Sequence, residues 1–177
     1  LIALIAAMLT YYSKPVSLSL ICTDQPLWSV VETAVTAYQK DHNRFHLMLS
    51  APSFNEPEVA NSLGLETTTR QEQDHADKAS SPRQWWLEIA SERVIMTHQG
   101  HGQVNYRHFW QQGGYGRTRY WLPNQSSQHN EPIRLHNFTR SLILKGDPMP
   151  EQLRVEYDLL AGDVQLGSYI LNIEIKH

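Results

Sequence analysis

Short runs of alternating apolar and polar side chains, separated by turn signals, fill the second half of the chain and constrain its fold more than any other feature. The runs are Trp85–Ile89, Arg93–Thr97, Gln103–Trp110, Tyr115–Leu122, Ile133–Leu144, Leu153–Leu159 and Gln165–Ile175. Glycine, asparagine and aspartate occur between several of them, as in Gln111–Gly114 and Ala161–Asp163. Such alternation is typical of antiparallel strands with one buried face. We therefore expect a strand-rich domain whose sheet curves into a partial barrel.

The first half predicts two more strands with a helix between them. Val16–Cys22 and Phe45–Ser50 have the alternation and the apolar character of strands. Between them, Leu27–Lys40 (LWSVVETAVTAYQK) repeats apolar residues at spacings of three and four, after a Thr-Asp pair that can cap a helix and after Pro26. The predicted fold class is α+β, mainly antiparallel β, with one N-terminal amphipathic helix against a curved sheet or partial lipocalin-like barrel.

The N-terminal segment predicts where the protein resides. Leu1–Leu9 (LIALIAAML) is apolar and uncharged, and Tyr11, Tyr12 and Lys14, which follow, are residue types that favour a membrane–water boundary. A spanning helix needs about 20 apolar residues, and because the chain begins with Leu rather than Met, we expect this segment to continue upstream. A signal-peptide core and a buried helix are the alternatives. We predict an anchor or signal-like segment at residues 1–14, in the bacterial inner membrane, and a periplasmic α+β domain at residues 15–177.

A polar stretch interrupts this domain. Asn55–Arg83 contains one short apolar patch, Leu63–Leu65, and from Glu66 onward it has no large apolar side chain. Such a composition cannot bury enough surface to order itself. We therefore predict a long exposed loop at residues 55–83, of a kind that compact domains keep when it is functional or merely tolerated.

Charge and cysteine content narrow the function classes. The formal net charge of −3 and the scattered basic residues provide no electrostatic footprint for nucleic acid. Cys22 is the single cysteine, so no disulfide can form within the chain. Because Cys22 lies in an apolar, strand-like run, we expect its thiol to be buried.

Three histidines raise the question of a metal site. His98 and His101 flank a glycine-rich turn, and His108 lies on the next predicted strand. Imidazoles on adjacent strands can form an open zinc or copper site. No cysteine or acidic residue stands at a recognised ligand spacing, however, so we expect His98 and His101 at a solvated hairpin tip and His108 in the wall of the sheet. A metal site at His98, His101 and His108 stays as an alternative.

The chain carries no recognisable catalytic pattern. It has no Gly-x-Ser-x-Gly motif, and the glycine-dense stretch Gly113–Gly116 lacks the lysine and hydroxyl residues of a phosphate-binding loop. The only carboxylates among residues 85–121 are Glu88 and Glu92, on opposite sides of a predicted turn, so paired carboxylates are missing there. We expect a protein that is not an enzyme and that uses no cofactor.

An aromatic cluster is the strongest candidate for a binding site. Tryptophan, tyrosine and phenylalanine residues crowd positions 85–121, nearly all of them on predicted strands. Barrel mouths hold flat apolar ligands between such rings, and nearby arginines can bind a ligand carboxylate through bidentate pairs. The candidate ligand-binding residues are Trp85, Tyr106, Trp110, Tyr120, Arg117 and Arg119. The alternative is that the rings fill the core of a small barrel.

Neighbouring aromatic residues also predict a second apolar surface. Adjacent side chains such as Trp85 and Trp86 must point to opposite faces of a strand. One ring of each pair therefore faces away from the core. That outer face is a candidate surface for a partner protein.

Three features of the chain are shared with one group of envelope proteins. They are the N-terminal apolar segment, an early cysteine in a strand (SLSLICTDQP), and the ending LRVEYDLLAGDVQLGSYILNIEIKH, in which Ser168-Tyr169-Ile170 precedes the last strand. In these features the chain resembles the accessory proteins of ToxR-type membrane regulators, the ToxS/VtrC/FidL-like group. It departs from that group in lacking a second cysteine near the C-terminus and in carrying the Asn55–Arg83 insertion.

The resemblance implies a function without catalysis. It implies a periplasmic lipocalin-like domain that forms a hetero-oligomer with the regulator's periplasmic sensor domain, the two enclosing an amphipathic ligand such as a bile salt. The leading hypothesis is therefore a membrane-anchored accessory or sensor protein in signal transduction. A structural subunit of a pilus or secretion apparatus and a histidine-based metal-binding protein are the alternatives.

Overall fold

A computed structural model describes residues 11–51, 83–99, 105–122 and 131–176. These ranges contain ten strands and no helix. The strands are β1 (Tyr11–Cys22), β2 (Trp28–Asp41), β3 (Arg44–Ala51), β4 (Arg83–Ala90), β5 (Arg93–Gln99), β6 (Asn105–Gln111), β7 (Tyr115–Trp121), β8 (Ile133–Lys145), β9 (Gln152–Ala161) and β10 (Val164–Ile175).

The ten strands form a closed antiparallel barrel. Each strand pairs with the next one along the chain, and β1 also pairs with β10, from Val16 opposite Ile175 to Cys22 opposite Tyr169. The prediction of an open curved sheet or partial barrel is therefore wrong, because the last strand returns to the first. Closure leaves no strand edge with unpaired backbone groups.

The predicted N-terminal helix at Leu27–Lys40 is also wrong, because this segment forms β2. A spacing of four residues places side chains on one face of a strand as well as of a helix, so Val31 and Val35 fit both patterns. In the barrel these two valines are buried, whereas Val30, which only the helical pattern places with them, is exposed. The segment is rich in valine and threonine, which favour strands.

The strands predicted in the second half of the chain are confirmed to within a few residues at their ends. The hairpin around Ala90–Glu92, for example, is the β4–β5 connection. Most of the predicted loop at 55–83 lies outside the described residues, although its last residue, Arg83, begins β4. The predicted anchor lies outside them up to residue 10, and its final residues begin β1. None of the described segments forms a helix that could cross a lipid bilayer.

Successive connections of a meander alternate between the two ends of the barrel. The connections at these two ends differ in length. Residues 23–27, 52–82, 100–104, 122–132 and 162–163 join strands at one end, which we name the loop end. Residues 42–43, 91–92, 112–114 and 146–151 join strands at the other, the turn end. The two longest connections, residues 52–82 and 122–132, therefore both join strands at the loop end.

The core lies inside the barrel. Alternate residues of every strand point inward, and the inward positions are mostly leucine, isoleucine and valine, as along β9 at Leu153, Val155 and Leu159. The predicted burial of Cys22 is confirmed. The inward-facing polar residues among this apolar lining lie on β5–β8.

Candidate functional site

Four rings stand side by side across β4–β7 near the loop end. In register, Trp85 pairs with His98, His98 with Tyr106, and Tyr106 with Tyr120. Successive ring centroids are 5.9, 4.8 and 5.8 Å apart, and the His98 and Tyr106 rings are stacked. We name these four residues the aromatic row. Trp85 and Tyr120 belong to the buried core of the barrel, and Tyr106 packs against that core near the loop end.

Burial differs along the aromatic row. Trp85, His98 and Tyr120 are buried, and His98 is only 1% exposed. Tyr106 is half-buried. Tyr106 is therefore the member of the row with the most exposed surface.

A chain of hydrogen bonds lies one step deeper. The Tyr120 hydroxyl lies 3.4 Å from His108 Nε2, and His108 Nδ1 lies 3.0 Å from Thr118 Oγ1. The Asn137 amide donates to Thr118 Oγ1 at 2.9 Å and to the carbonyl oxygen of Phe109 at 3.0 Å. We name Tyr120, His108, Thr118 and Asn137 the polar chain. Because the hydroxyls can donate or accept, either tautomer of His108 satisfies it.

Burial keeps the polar chain uncharged. It lowers the pKa of His108 to about 3 and raises the pKa of Tyr120 far above its ordinary value. Both groups are therefore neutral at pH 7, and neither is poised for proton transfer near neutrality. This environment suits the recognition of a neutral polar group better than acid–base catalysis.

The rings at the next level fill the barrel. Trp110 on β6 lies 5.1 Å from Tyr157 on β9, and His108 lies 5.8 Å from the same tyrosine, although these two strands are not neighbours. Trp110 also stacks on His108, and Tyr157 stacks on Tyr169. We name Trp110, Tyr157 and Tyr169 the aromatic floor. Rings that meet across the interior at these distances leave no passage between them.

A glycine permits the polar chain to cross a strand. Asn137 on β8 reaches the backbone of Phe109 on β6 over Gly116 of β7. A Cβ atom on Gly116 would stand 1.7 Å from the Phe109 carbonyl oxygen and 2.7 Å from Asn137 Oδ1. Within the described ranges, Asn137 Oδ1, Trp110 Nε1 and Thr139 Oγ1 are buried without a hydrogen-bond partner. Polar groups in that condition are costly and occur where a protein binds something or stores strain.

The predicted ligand-binding residues are split between two surfaces. Trp85, Tyr106 and Tyr120 belong to the aromatic row, and Trp110 lies in the aromatic floor. Arg117 and Arg119 alternate with inward residues of β7, so they lie on the outer wall and cannot meet a ligand inside the barrel. They line a groove of about 380 Å³ on that wall. This outer groove is formed by Ile95, Arg107, Phe109, Tyr115, Gly116, Arg117 and Arg119.

The histidines are placed differently from the prediction. His98 is buried in the aromatic row rather than solvated at a hairpin tip, because it occupies an inward position of β5. The prediction that His108 is a wall residue is confirmed, and His101 lies outside the described residues. Among the residues that the structure describes, no three histidine, cysteine or acidic side chains are grouped closely enough to hold a metal ion.

The sequence alone does not indicate a cluster that the structure forms around Cys22. The Ser168 amide donates to both oxygens of Asp24, at 3.0 and 3.1 Å, and the Cys22 thiol donates to Asp24 Oδ1 at 3.1 Å. The amide of Ser168 lowers the pKa of Asp24, and burial together with the Asp24 contact raises the pKa of Cys22. The thiol is therefore less reactive than a free cysteine, and the cluster fastens the first connection of the loop end to β10.

The inward polar residues Thr118, Asn137 and Thr139 were also missed. Their one signal in the sequence is that they stand at positions where strand alternation predicts an apolar side chain. By contrast, the predicted opposition of Trp85 and Trp86 is confirmed, since Trp85 is 3% exposed and Trp86 is 36% exposed.

Comparison with known proteins supports the architecture alone. No protein-family model matches the chain, and no curated protein matches it. The fold is similar to the crystal structure of the ywiB protein from Bacillus subtilis, with a TM-score of 0.54 over 94% of this chain and 96% of that chain. The sequences are 14% identical, so the similarity concerns the fold and not the function.

Proposed function

We propose that the protein is a non-catalytic accessory or sensor subunit that binds an amphipathic small molecule at the loop end of its barrel. The observation that carries the proposal is the aromatic row above the aromatic floor. The proposal keeps the role suggested by the resemblance to the partners of ToxR-type regulators: anchored through residues 1–14 in the bacterial inner membrane, with the barrel in the periplasm.

The arrangement of apolar and polar groups supports a flat ligand with a few polar substituents. The rings offer apolar surface, and the hydroxyl of Tyr120, which His108 holds in place, is a neutral hydrogen-bonding group at one side. Binding pockets for small molecules commonly combine a largely apolar wall with a few convergent polar groups. A steroid-like molecule such as a bile salt has this distribution of groups.

The aromatic floor limits where the ligand binds. Because Trp110 and Tyr157 meet across the interior, a ligand that enters from the loop end stops above them. The site is therefore shallow, and part of the ligand stays near the rim. A partner domain that covers the loop end then contacts both the rim and the ligand, which couples ligand binding to assembly.

The outer wall supports assembly with another protein. Trp28 and Ile21 are register partners on β2 and β1, and Trp28 is 70% exposed. Exposed large apolar side chains that stand together mark contact surfaces more often than isolated ones do. Both residues lie close to the loop end, next to the proposed ligand site.

Ligand titration of the full chain tests the proposal. Deoxycholate, added below its micelle-forming concentration, should raise the melting temperature and change the tryptophan fluorescence. The substitution Tyr106→Leu removes the most exposed ring of the aromatic row. It should weaken the binding of deoxycholate roughly tenfold, because a ring contact contributes about 0.5–1.5 kcal/mol beyond its burial. Tyr115→Leu is the matched control, because that ring lies outside the barrel on the same sheet.

Two results would contradict the proposal. One is the absence of any thermal shift with deoxycholate and with other steroid or fatty carboxylates. The other is a loss of binding in the Tyr115→Leu variant but not in Tyr106→Leu, which would move the ligand to the outer groove.

A further inference from the structure

We infer that the outer groove, extended by Arg134 of β8, is the docking site for an acidic, partly apolar segment of a partner protein. This inference deepens the proposed function and rests on it, since it assigns a surface and a chemistry to the protein partner. It concerns the outer wall of β5–β8, whereas the proposed ligand site lies inside the barrel.

Three arginines stand side by side on this wall. Arg107 of β6 pairs in register with Arg119 of β7, and Arg119 pairs with Arg134 of β8. All three side chains are exposed, and Arg117 occupies the outward position of β7 that precedes Arg119. Like charges directly opposite each other on a sheet destabilise it. A chain that places three of them in a row therefore incurs a folding cost that an anionic partner would relieve.

The positive charge of this wall is not neutralised from within. Among the described residues, Arg117, Arg119 and Arg134 make no ion pair, and Arg107 is joined to Glu88 by a contact of 4.0 Å between two half-exposed side chains. Such surface pairs contribute little and leave the guanidinium available. The full chain carries a net charge of −3, so this wall is a local positive surface on a slightly acidic protein.

The spacing of the arginines indicates more than one anionic group. Neighbouring strands are about 4.8 Å apart, so the row from Arg107 to Arg134 spans about 10 Å across β6–β8. A single carboxylate cannot form bidentate hydrogen bonds with all three guanidinium groups. Two or more anionic groups carried on one backbone can, and each forms bidentate hydrogen bonds with an arginine.

The apolar part of the groove favours a peptide over a nucleic acid. Ile95 of β5 and Phe109 of β6 lie beside the arginines, and Tyr115, which is 72% exposed, packs against Phe138 at one edge. Arginine and tyrosine beside half-buried apolar side chains are the composition of protein interfaces, and acidic side chains interspersed with leucine or phenylalanine complement it.

Binding of a designed peptide to the full chain tests the inference. The probe is a fluorescent peptide that alternates glutamate and leucine, and its control alternates glutamine and leucine. We expect the acidic peptide to bind, the neutral peptide not to bind, and the affinity to fall as salt is added. Arg119→Glu, at the centre of the row, should weaken binding at least about tenfold. Lys40→Glu is the control, because it makes the same charge change on β2, across the barrel.

Folding and the ligand site are checked in parallel. Arg119→Glu relieves the repulsion within the row, so its melting temperature should equal or exceed that of the parent protein. The Arg119→Glu variant should also keep its response to deoxycholate, and Tyr106→Leu should keep its affinity for the peptide. A chain that binds deoxycholate but binds the acidic and neutral peptides equally overturns this inference and leaves the proposed function standing.

Two other outcomes overturn the inference. Unchanged peptide affinity in a folded Arg119→Glu variant would show that the arginine row is not the docking site. Tighter binding of a single-stranded oligonucleotide than of the acidic peptide, lost in Arg119→Glu, would assign the groove to nucleic acid. Peptide binding without any response to deoxycholate would support the docking site and contradict the ligand site alone.

Discussion

His108 shows how a single side chain links burial to the behaviour of the whole protein. Its imidazole stacks on Trp110 and bonds Thr118, and burial alone lowers its pKa to about 3. In the unfolded chain the same group titrates near 6.5. Between these two pKa values His108 is protonated in the unfolded chain and neutral in the folded protein. The free energy of unfolding therefore depends on pH.

The pH dependence of unfolding gives the first prediction. As the pH falls from about 6.5 towards 3, the free energy of unfolding should decrease, with His108 contributing up to about 1.4 kcal/mol per pH unit. Above pH 6.5 both states hold His108 neutral, and its contribution is constant. His108→Asn removes the titrating group and keeps a polar contact to Thr118, so its curve should be flatter between pH 7.5 and 4.5.

Denaturant unfolding at several pH values measures this difference. Asp24 has a lowered pKa and therefore also loses stabilising effect on acidification, but only near and below its ordinary pKa of 3.8. Between pH 6.5 and 4.5 the difference between the parent and variant curves therefore reports on His108. Parallel curves for the parent protein and the variant would mean that His108 is accessible to protons in the folded state.

At the scale of the strands, β7 combines a close approach of two backbones with a buried side-chain hydrogen bond that crosses it. Gly116 is buried beneath the Asn137 side chain, and a Cβ there would overlap the carbonyl oxygen of Phe109. Gly114, in the adjoining turn, has its nearest neighbour at 3.6 Å from a Cβ, an ordinary contact distance. The two glycines are thus close in sequence but differ in what they can tolerate.

Alanine substitution at these two glycines gives the second prediction. Gly116→Ala must separate β6 from β7 or displace Asn137, and we expect it to lower the free energy of unfolding by about 3 kcal/mol or more. Gly114→Ala should change it by less than about 1 kcal/mol. Thermal or denaturant unfolding of the two variants measures this difference. An equally small loss in the free energy of unfolding for both variants would mean that β7 can shift to accommodate a methyl group at Gly116.

The strands also show what could be predicted from the sequence and what could not. Alternation located the strands after residue 83, because each has one buried and one exposed face. It failed for β2, since Val31 and Val35 are spaced for a helix and for a strand alike. What decides between the two is pairing with β1 and β3, a long-range property that local spacing does not contain.

The candidate site was predicted in part for a related reason. The rings of the aromatic row were singled out by residue type, but grouping them with Arg117 and Arg119 ignored the alternation that places Tyr120 inside and Arg119 outside. The polar chain was missed because Asn137 and Thr118 are ordinary surface residues in composition. Only the register of β6, β7 and β8 brings them to one place.

At the scale of the whole molecule, closure between β1 and β10 brings the two ends of the described barrel together. The Lys176 amide donates to the carbonyl oxygen of Pro15 at 2.8 Å, and Ile175 lies opposite Val16. Chains with adjacent ends tolerate being joined there and opened elsewhere, provided that the new opening breaks no packed strand.

Circular permutation gives the third prediction. A permutant that joins Lys176 to Tyr11 through a glycine–serine linker of about eight residues, with its new ends between residues 52 and 82, should fold with a melting temperature within about 8 °C of the parent. A second permutant, opened at Tyr169 inside β10, should fail to fold cooperatively. Circular dichroism and thermal unfolding distinguish them, and the reverse order of stability would refute the closed topology.

The uneven distribution of connection lengths has a consequence for divergence. Because the two longest connections, residues 52–82 and 122–132, both join strands at the loop end, insertions, deletions and substitutions in them leave the hairpins of the turn end, and the register that these hairpins set, unchanged. Chains built on this plan can thus acquire new specificities without altering the residues that direct folding. We expect the sequences of homologues to differ most in the connections of the loop end and to agree most in those of the turn end, much as antibody domains vary in their loops on a constant framework.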